Sequence, residues 1–419
     1  MAGQIDPPAK MNIDFVFGFE SKNARLQPPQ RRRPLGPVAR ITTSLIFTPM
    51  PSPSAPQPPD PSHPTTRGRG AAINPPNRFE RIHVAPDPDA TPEQLGYEEG
   101  DAGVTNPRTQ FFDDASESIL SRNDSPDVPL TYSLNPYRGC EHGCAYCYAR
   151  TYHDYLGWSS GLDFETRIMV KRRAPKLLRD VLEKPTWRPE AISFSGATDC
   201  YQPAERHFRL TRACLEVLRE FRNPTAIITK NALVTRDIDL LADMARWQGA
   251  TVIFTLTPLD TALGGQLEPR ASRPGARLRA LRTLADAGIP VGVMVAPIIP
   301  GLTDHEVPAI LAAAAEAGAT SAGYIVLRLP HTITDIFSHW LDTHAPSKKE
   351  RVLSRVREIR GGNLNVSTWG ERMKGEGIFA DQIRQLFQIS RRKYQLDRPR
   401  AELSTTSFRR PGGEQLTLL

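Results

Sequence analysis

Five short apolar runs, at residues 191–195, 225–229, 251–257, 291–297 and 322–329, constrain this chain more than any other feature. None alternates polar with apolar residues, so each reads as a strand covered on both faces, as in a parallel sheet. Between them the apolar positions change period. In 210–221, Leu210, Ala213, Cys214, Val217, Leu218 and Phe221 recur at three and four, and 238–247, 278–287 and 307–317 carry similar stripes. Gly249, Gly288 and Gly318 each follow a helical stretch and precede a strand, where a left-handed cap is expected. An earlier strand at 132–135 completes six β/α units in a row. Such repetition suits a barrel-like parallel sheet or an open doubly wound one, and periodicity does not separate the two. No G-x-G-x-x-G follows a strand and no G-x-x-x-x-G-K-[ST] occurs, which removes the main support for dinucleotide and P-loop readings.

The flanks differ in kind. Residues 1–66 are rich in proline, densest at Pro49-Met-Pro-Ser-Pro-Ser-Ala-Pro-Gln-Pro-Pro59, and are expected to be a disordered extension. Residues 67–130 read as a lead-in segment, 131–330 as the core, and 331–395 as a helical extension with helices at 332–341, 348–359 and 380–391. A structured glycine-rich loop is expected at 361–377. Residues 396–419 read as a flexible basic tail. The net charge is +7, and residues 391–419 hold 7 Lys and Arg against 3 Asp and Glu, a tail suited to polyanions. No run approaches the ~20 apolar residues of a membrane span, and the start lacks a secretory pattern, so a cytoplasmic location is expected.

Five cysteines are too few for a disulfide scaffold. Three of them crowd into Asn135-Pro-Tyr-Arg-Gly-Cys-Glu-His-Gly-Cys-Ala-Tyr-Cys-Tyr148. Thiolates at Cys140, Cys144 and Cys147, with a glycine before each of the first two, are able to wrap one compact metal centre. Zinc in a closed site wants a fourth protein ligand, for which His142 is the near candidate and Cys200 a distant one. A cubane iron–sulfur cluster accepts three thiolates and leaves one iron free.

This C-x3-C-x2-C spacing, with an aromatic residue before the last Cys, resembles the radical S-adenosylmethionine superfamily. The resemblance implies a partial (β/α)6 barrel with the cluster loop after the first strand. It implies a [4Fe–4S] cluster on Cys140, Cys144 and Cys147 whose fourth iron chelates S-adenosylmethionine. Electron transfer would then release a 5′-deoxyadenosyl radical that abstracts hydrogen from substrate, with an external flavodoxin- or ferredoxin-like donor as partner. Further phrases are similar to a narrower bacterial branch near spore photoproduct lyase: Gly161-Leu-Asp-Phe-Glu-Thr-Arg167, Thr198-Asp-Cys-Tyr-Gln-Pro203, Thr229-Lys230, Ala296-Pro-Ile-Ile-Pro-Gly-Leu-Thr-Asp-His-Glu306 and Gly361-Gly-Asn-Leu364. Family-like text begins at Gly68-Arg-Gly-Ala-Ala72.

Carried over by motif, Thr198 and Asp199 would meet the cofactor's amino group, with a turn or helix cap as the competing reading. Lys230 would pair with the methionyl carboxylate or a substrate phosphate, against a plain surface lysine. Thr255 or Thr257 matches the ribose contact, against a core or edge threonine, and Pro297 begins the segment passing adenine. Cys200 stands where the usual pattern has Pro. It is the candidate hydrogen-atom donor by analogy with the lyase, but its register differs, which favours a chance replacement. Cys214 reads as core. Nucleic acid is the substrate class the resemblance favours, with DNA repair as the setting. Radical modification of a peptide or small molecule, or a non-catalytic Fe–S or zinc protein, stand as alternatives. Finally, Gln415, Leu416, Leu418 and Leu419 resemble the peptide by which bacterial repair proteins bind the sliding clamp.

Overall fold

The computed structural model describes residues 68–79, 107–398 and 402–411. The Pro-rich extension before residue 67 and the clamp-like peptide Gln415-Leu-Thr-Leu-Leu419 lie outside them. Among the described residues ten strands form: β1 (Gln110–Asp113), β2 (Leu120–Arg122), β3 (Tyr132–Leu134), β4 (Tyr137–Arg138), β5 (Arg167–Val170), β6 (Ile192–Phe194), β7 (Thr225–Thr229), β8 (Ala250–Thr255), β9 (Val291–Ile298) and β10 (Ser321–Val326). The six strands expected from sequence are β3 and β6 to β10. They pair in chain order, β3-β6-β7-β8-β9-β10, and every pairing among them is parallel. β10 and β3 do not pair, so the barrel is partial and open.

The apolar runs explain this sheet. Ile227, Phe254, Val293 and Val295 point outward into the main core, against helices such as Leu210–Phe221 and Val307–Glu316. Their neighbours Ile228, Ile253 and Met294, with Ile325, form a separate apolar layer on the inner face. Both faces are covered, which is why the runs do not alternate. Each fully buried Ile, Leu or Phe contributes roughly 1.5–3 kcal/mol.

Three details went unannounced in the sequence. β2 adds an antiparallel edge to β3. A small sheet, β1-β5-β4, forms beside the barrel; its strands are two to four residues long and give no periodic signal. The left-handed caps appear at Gly288 (φ 76°) and Gly318 (φ 99°), but at the third site Gln248 takes that conformation (φ 57°) in place of Gly249. Gly249 instead packs under the Trp247 ring, where a Cβ would come within 1.9 Å.

The C-terminal helices Ile333–His344, Lys349–Glu358 and Ile378–Lys393 agree with expectation within a few residues. The glycine-rich loop is structured, with a short helix at Glu371–Lys374. Buried Arg372 reaches back to Asp127 at 2.7 Å, tying this loop to the lead-in. Residues 402–411, read from sequence as flexible tail, correct that boundary. Ser404 N–H donates to the Gln248 carbonyl, Arg409 N–H donates to the Phe221 carbonyl, and Phe408 packs on the main core. The outer edge of β10 is likewise covered, through an Ala322 N–H bond to Leu396 and a bridge to Asp397.

Candidate active site

The chain climbs from β3 through Asn135 into the cysteine loop at the C-terminal ends of the strands. Asn135 Oδ1 accepts from the N–H groups of Ala197 and Thr198, joining this loop to the one after β6. Gln202 does the same from the other side. Its Oε1 accepts from Glu141 N–H at 2.9 Å, and its Nε2 donates to the Gly139 carbonyl at 3.1 Å. Tyr137 donates to buried Glu205 at 2.5 Å, and Glu205 also accepts from Thr211 N–H and Arg236. The Asn135–Cys147 and Thr198–Pro203 phrases are thus two halves of one clamp.

A third phrase closes it from the N-terminal side. Glu165, wholly buried, accepts from Gly70 N–H at 3.0 Å and Ala71 N–H at 2.8 Å and pairs with Arg150 at 2.5 Å. Arg150 in turn donates to the Cys144 carbonyl at 3.0 Å. Residues 68–72 therefore lie directly on the cysteine loop. A Cβ on Gly70 would fall 1.6 Å from the Gly143 carbonyl oxygen, and Gly143 itself holds φ 65°, so neither position accepts a side chain.

Inside this frame is a cavity of about 160 Å³, lined by Cys140, Cys144 and Cys147 together with Thr198, Asp199, Lys230, Thr255 and Pro297. The inner-face residues Ile228, Met294 and Ile325 floor it. Burial pushes the thiols of Cys140, Cys144 and Cys147 up. Lys230 partly offsets this at Cys144, and Arg150 does so at Cys147. A cationic centre bound there would have to displace these protons.

Among the described residues no three His, Cys, Asp or Glu side chains converge as one mononuclear ion requires. A cluster that gives each thiolate its own iron does not ask for that convergence. His142, the zinc candidate, is turned away from such a role. Its Nδ1 is 3.4 Å from Asp199 and its Nε2 is 3.1 Å from Asn231 Nδ2. The donor set therefore fits a three-thiolate cluster better than a closed zinc site.

Several expected residues behave differently. Asp199 borders the cavity, but its carboxylate is already engaged: Oδ1 accepts from Tyr201 N–H and Thr229 Oγ1, Oδ2 accepts from Lys230 N–H at 2.7 Å and faces His142. A carboxylate offers about four acceptor positions, and here all are used. Burial alone would raise its pKa, yet His142 and these donors hold it below the ordinary value. Thr198 donates its hydroxyl to the Tyr137 carbonyl. Lys230 is no surface lysine; it borders the cavity with Nζ 4.0 Å from Glu268, in a buried group that includes Tyr146 and Arg277.

Thr257 does not line the cavity. It follows β8 and donates to the Leu256 carbonyl. Cys200 does not line it either. The turn after β6 directs Asp199 to the cavity and Cys200 into the main core beside Cys214, with its N–H on Ser195 Oγ and its carbonyl on Thr211 Oγ1. Residues not foreseen also face the cavity: Tyr148, whose hydroxyl donates to the Gly196 carbonyl, and Arg328, stacked 4.8 Å above the Tyr148 ring. Their signal was positional. One follows the last cluster cysteine and the other ends the sixth barrel strand, where parallel sheets carry their ligands.

Residues 134–314 match the family model of the radical SAM superfamily. A protein of Mycobacterium tuberculosis, titled only as uncharacterized, is 36% identical over 234 residues, covering 55% of this chain and 68% of the relative. Another so titled, from Methanocaldococcus jannaschii, is 33% identical over 178 residues, 42% of this chain and 63% of that one. Among solved structures, a spore photoproduct lyase point mutant overlays 70% of this chain and 80% of its own, at 15% identity and a TM-score of 0.48.

Proposed function

Because the chain belongs to the radical S-adenosylmethionine superfamily, we propose that it holds a [4Fe–4S] cluster on Cys140, Cys144 and Cys147, cleaves S-adenosylmethionine reductively and acts on nucleic acid. Cys140, Cys144 and Cys147 would hold the cluster, which would supply the one-electron reduction of S-adenosylmethionine that makes radical hydrogen abstraction possible. One observation carries the reading. Three thiols, Thr198, Lys230, Thr255 and Pro297, drawn from five successive strand ends, border a single cavity. A structural cluster needs no such convergence.

The roles of the chain's own groups follow from chemistry. Lys230 offers an ammonium to the methionyl carboxylate, restrained by Glu268. Thr255 offers a hydroxyl to the ribose, and Pro297 flanks the adenine. Asp199, saturated by protein donors, positions Lys230 and His142 and does not itself take the ligand's ammonium. An external flavodoxin- or ferredoxin-like protein delivers the electron.

Anaerobic reconstitution tests the chemistry. Iron and sulfide near four each per chain are expected, together with 5′-deoxyadenosine when dithionite and S-adenosylmethionine are added. Full iron content in a Cys140→Ala, Cys144→Ala, Cys147→Ala triple variant would overturn the assignment. The substrate class rests on the resemblance of the Asn135–Cys147 phrase to the photoproduct-lyase branch. Ultraviolet-irradiated DNA should raise the 5′-deoxyadenosine yield above a peptide mixture, and equal yields would remove nucleic acid. The tail residues Gln415, Leu416, Leu418 and Leu419 are proposed to bind the sliding clamp. Titration of a labelled Arg409–Leu419 peptide, with and without Gln415→Ala and Leu416→Ala, decides that.

A further inference from the structure

A second cleft, about 750 Å³, opens on the β2–β3 side of the barrel and shares Ala197 and Thr198 with the cofactor cavity. That volume lies in the ordinary range of ligand pockets, so the lining decides what the cleft takes. Three cations line it, Arg122, Arg138 and Lys171, against one carboxylate, Asp124. Arg138 is already committed, to Asp114 at 2.8 Å and Ser116 Oγ at 2.9 Å. Lys171 is not. It is 9% exposed, and among the described residues its Nζ has neither a hydrogen bond nor an ion pair. Arg122, exposed at the tip of β2, likewise has none.

The nearest counter-charge to Lys171 is Asp114, already held by Arg138, so burial and Arg138 still weigh against the ammonium and a further anion would stabilise it. Aromatic rings complete the cleft. Tyr155, 59% exposed, lines its mouth and packs 5.0 Å from the ring of Phe79, itself 55% exposed. The Arg78 guanidinium lies over both rings, 4.6 Å from the Phe79 centroid and 5.3 Å from that of Tyr155. Cations with little anionic partnering beside exposed aromatic rings are what a single strand of nucleic acid uses: phosphates on the cations, bases on the rings.

We propose that this cleft is the substrate groove and that it takes an unpaired stretch of nucleic acid, with Lys171 and Arg122 on backbone phosphates and the Tyr155–Phe79 platform under a base. The groove meets the cofactor cavity at Ala197 and Thr198, which sets the bound strand beside the site of hydrogen abstraction. The inference rests on the radical reading of the neighbouring cavity for its purpose, but not for its test.

That test is equilibrium binding of a fluorescein-labelled twelve-residue single-stranded oligodeoxynucleotide to the full chain, reconstituted anaerobically and without dithionite. Lys171→Met and Arg122→Ala should each weaken binding by about tenfold and lower the slope of log K against log salt by about 0.7, the share of one phosphate. Tyr155→Ala should weaken binding with the salt slope unchanged, as loss of stacking does. Cluster absorbance reports that each variant is folded. Native affinity in both Lys171→Met and Arg122→Ala overturns the groove, and so does displacement of the oligonucleotide by polyglutamate at equal charge. Absence of 5′-deoxyadenosine from the native protein overturns the catalytic reading and leaves these binding results standing.

Discussion

Glu165→Ala should detach the N-terminal lead-in from the cysteine loop, and its size follows from what the carboxylate holds. Glu165 and Arg150 are both fully buried and face each other at 2.5 Å. Removing one partner of a buried ion pair strands the other charge, which costs about 3–5 kcal/mol. Arg150 keeps bonds to the carbonyls of Cys144 and Gly161, so it stays in place and the stranding is real. The N–H groups of Gly70 and Ala71 also lose their acceptor, and hydrogen bonds to a charged group are worth about 1.5–3 kcal/mol each. These need not add to the global figure, because residues 68–79 are free to swing out to water.

Two effects are therefore expected. Global stability in anaerobic urea unfolding falls by about 4 kcal/mol, within the 3–5 kcal/mol range for a broken buried pair and a large share of the 5–15 kcal/mol of an ordinary domain. Hydrogen exchange of the peptide covering residues 68–79 accelerates by more than the global loss alone explains. Glu165→Gln is the control. Its amide oxygen still accepts one N–H, while its NH2 meets a donor, so it should fall between the native and Ala proteins. A Glu165→Ala protein within about 1 kcal/mol of native, with unchanged exchange at 68–79 and full cluster absorbance, would refute the reasoning.

Three further outcomes are expected. His153 and Asp154 should oppose each other in pH dependence. Burial pushes His153 down to about 3, so its contribution is present above about 6.5 and lost as pH falls toward 3. Burial raises Asp154 to about 6 against the pull of Arg78, so its contribution declines as pH climbs from about 4 to 6. Urea midpoints of Asp154→Asn should pull ahead of native as pH rises through that window, and those of His153→Phe as pH falls through its own; flat differences would remove both. Cys200→Ala should still yield 5′-deoxyadenosine and product while losing roughly 1 kcal/mol of stability, and loss of product alone would restore it as a hydrogen donor. A protein beginning at Arg67 should incorporate its cluster, whereas one beginning at Asn77 should not, by iron content; equal incorporation would contradict the contact between Gly70 and Gly143.

The barrel was legible because its signal is repeated. Five apolar runs, each followed by a helical stretch, specify order and direction many times over, and strand boundaries followed within three residues. The small β1-β5-β4 sheet and the docking of residues 402–411 were not legible, since each rests on a handful of long-range bonds, such as Arg409 N–H to the Phe221 carbonyl, that leave no local pattern. Gln248 taking the left-handed position shows the same limit. The glycine was in the sequence, but the Trp247 ring, not the backbone dihedral, is what requires it.

The cavity raises a subtler point about motifs. Motif residues outside the cysteines invite a catalytic reading, yet several of them spend their polar groups on one another. Asn135 holds the loop after β6, Gln202 holds the loop bearing Cys140, Glu205 holds Tyr137, and Glu165 holds Gly70 and Ala71. Asp199, the acid most exposed to a catalytic interpretation, has no acceptor position left. Three thiols on a short loop bind one centre only if that loop has one shape, and a loop with two glycines has little shape of its own. The surrounding side chains supply it. The specificity of the phrase Asn135–Tyr148 therefore encodes loop geometry more than reactivity, which is why it identifies a family readily and says little about a substrate. The residues proposed to meet a substrate are ones the motifs omit: Lys171 and Arg122, on the far side of Thr198 and outside every phrase that carried the resemblance except by adjacency.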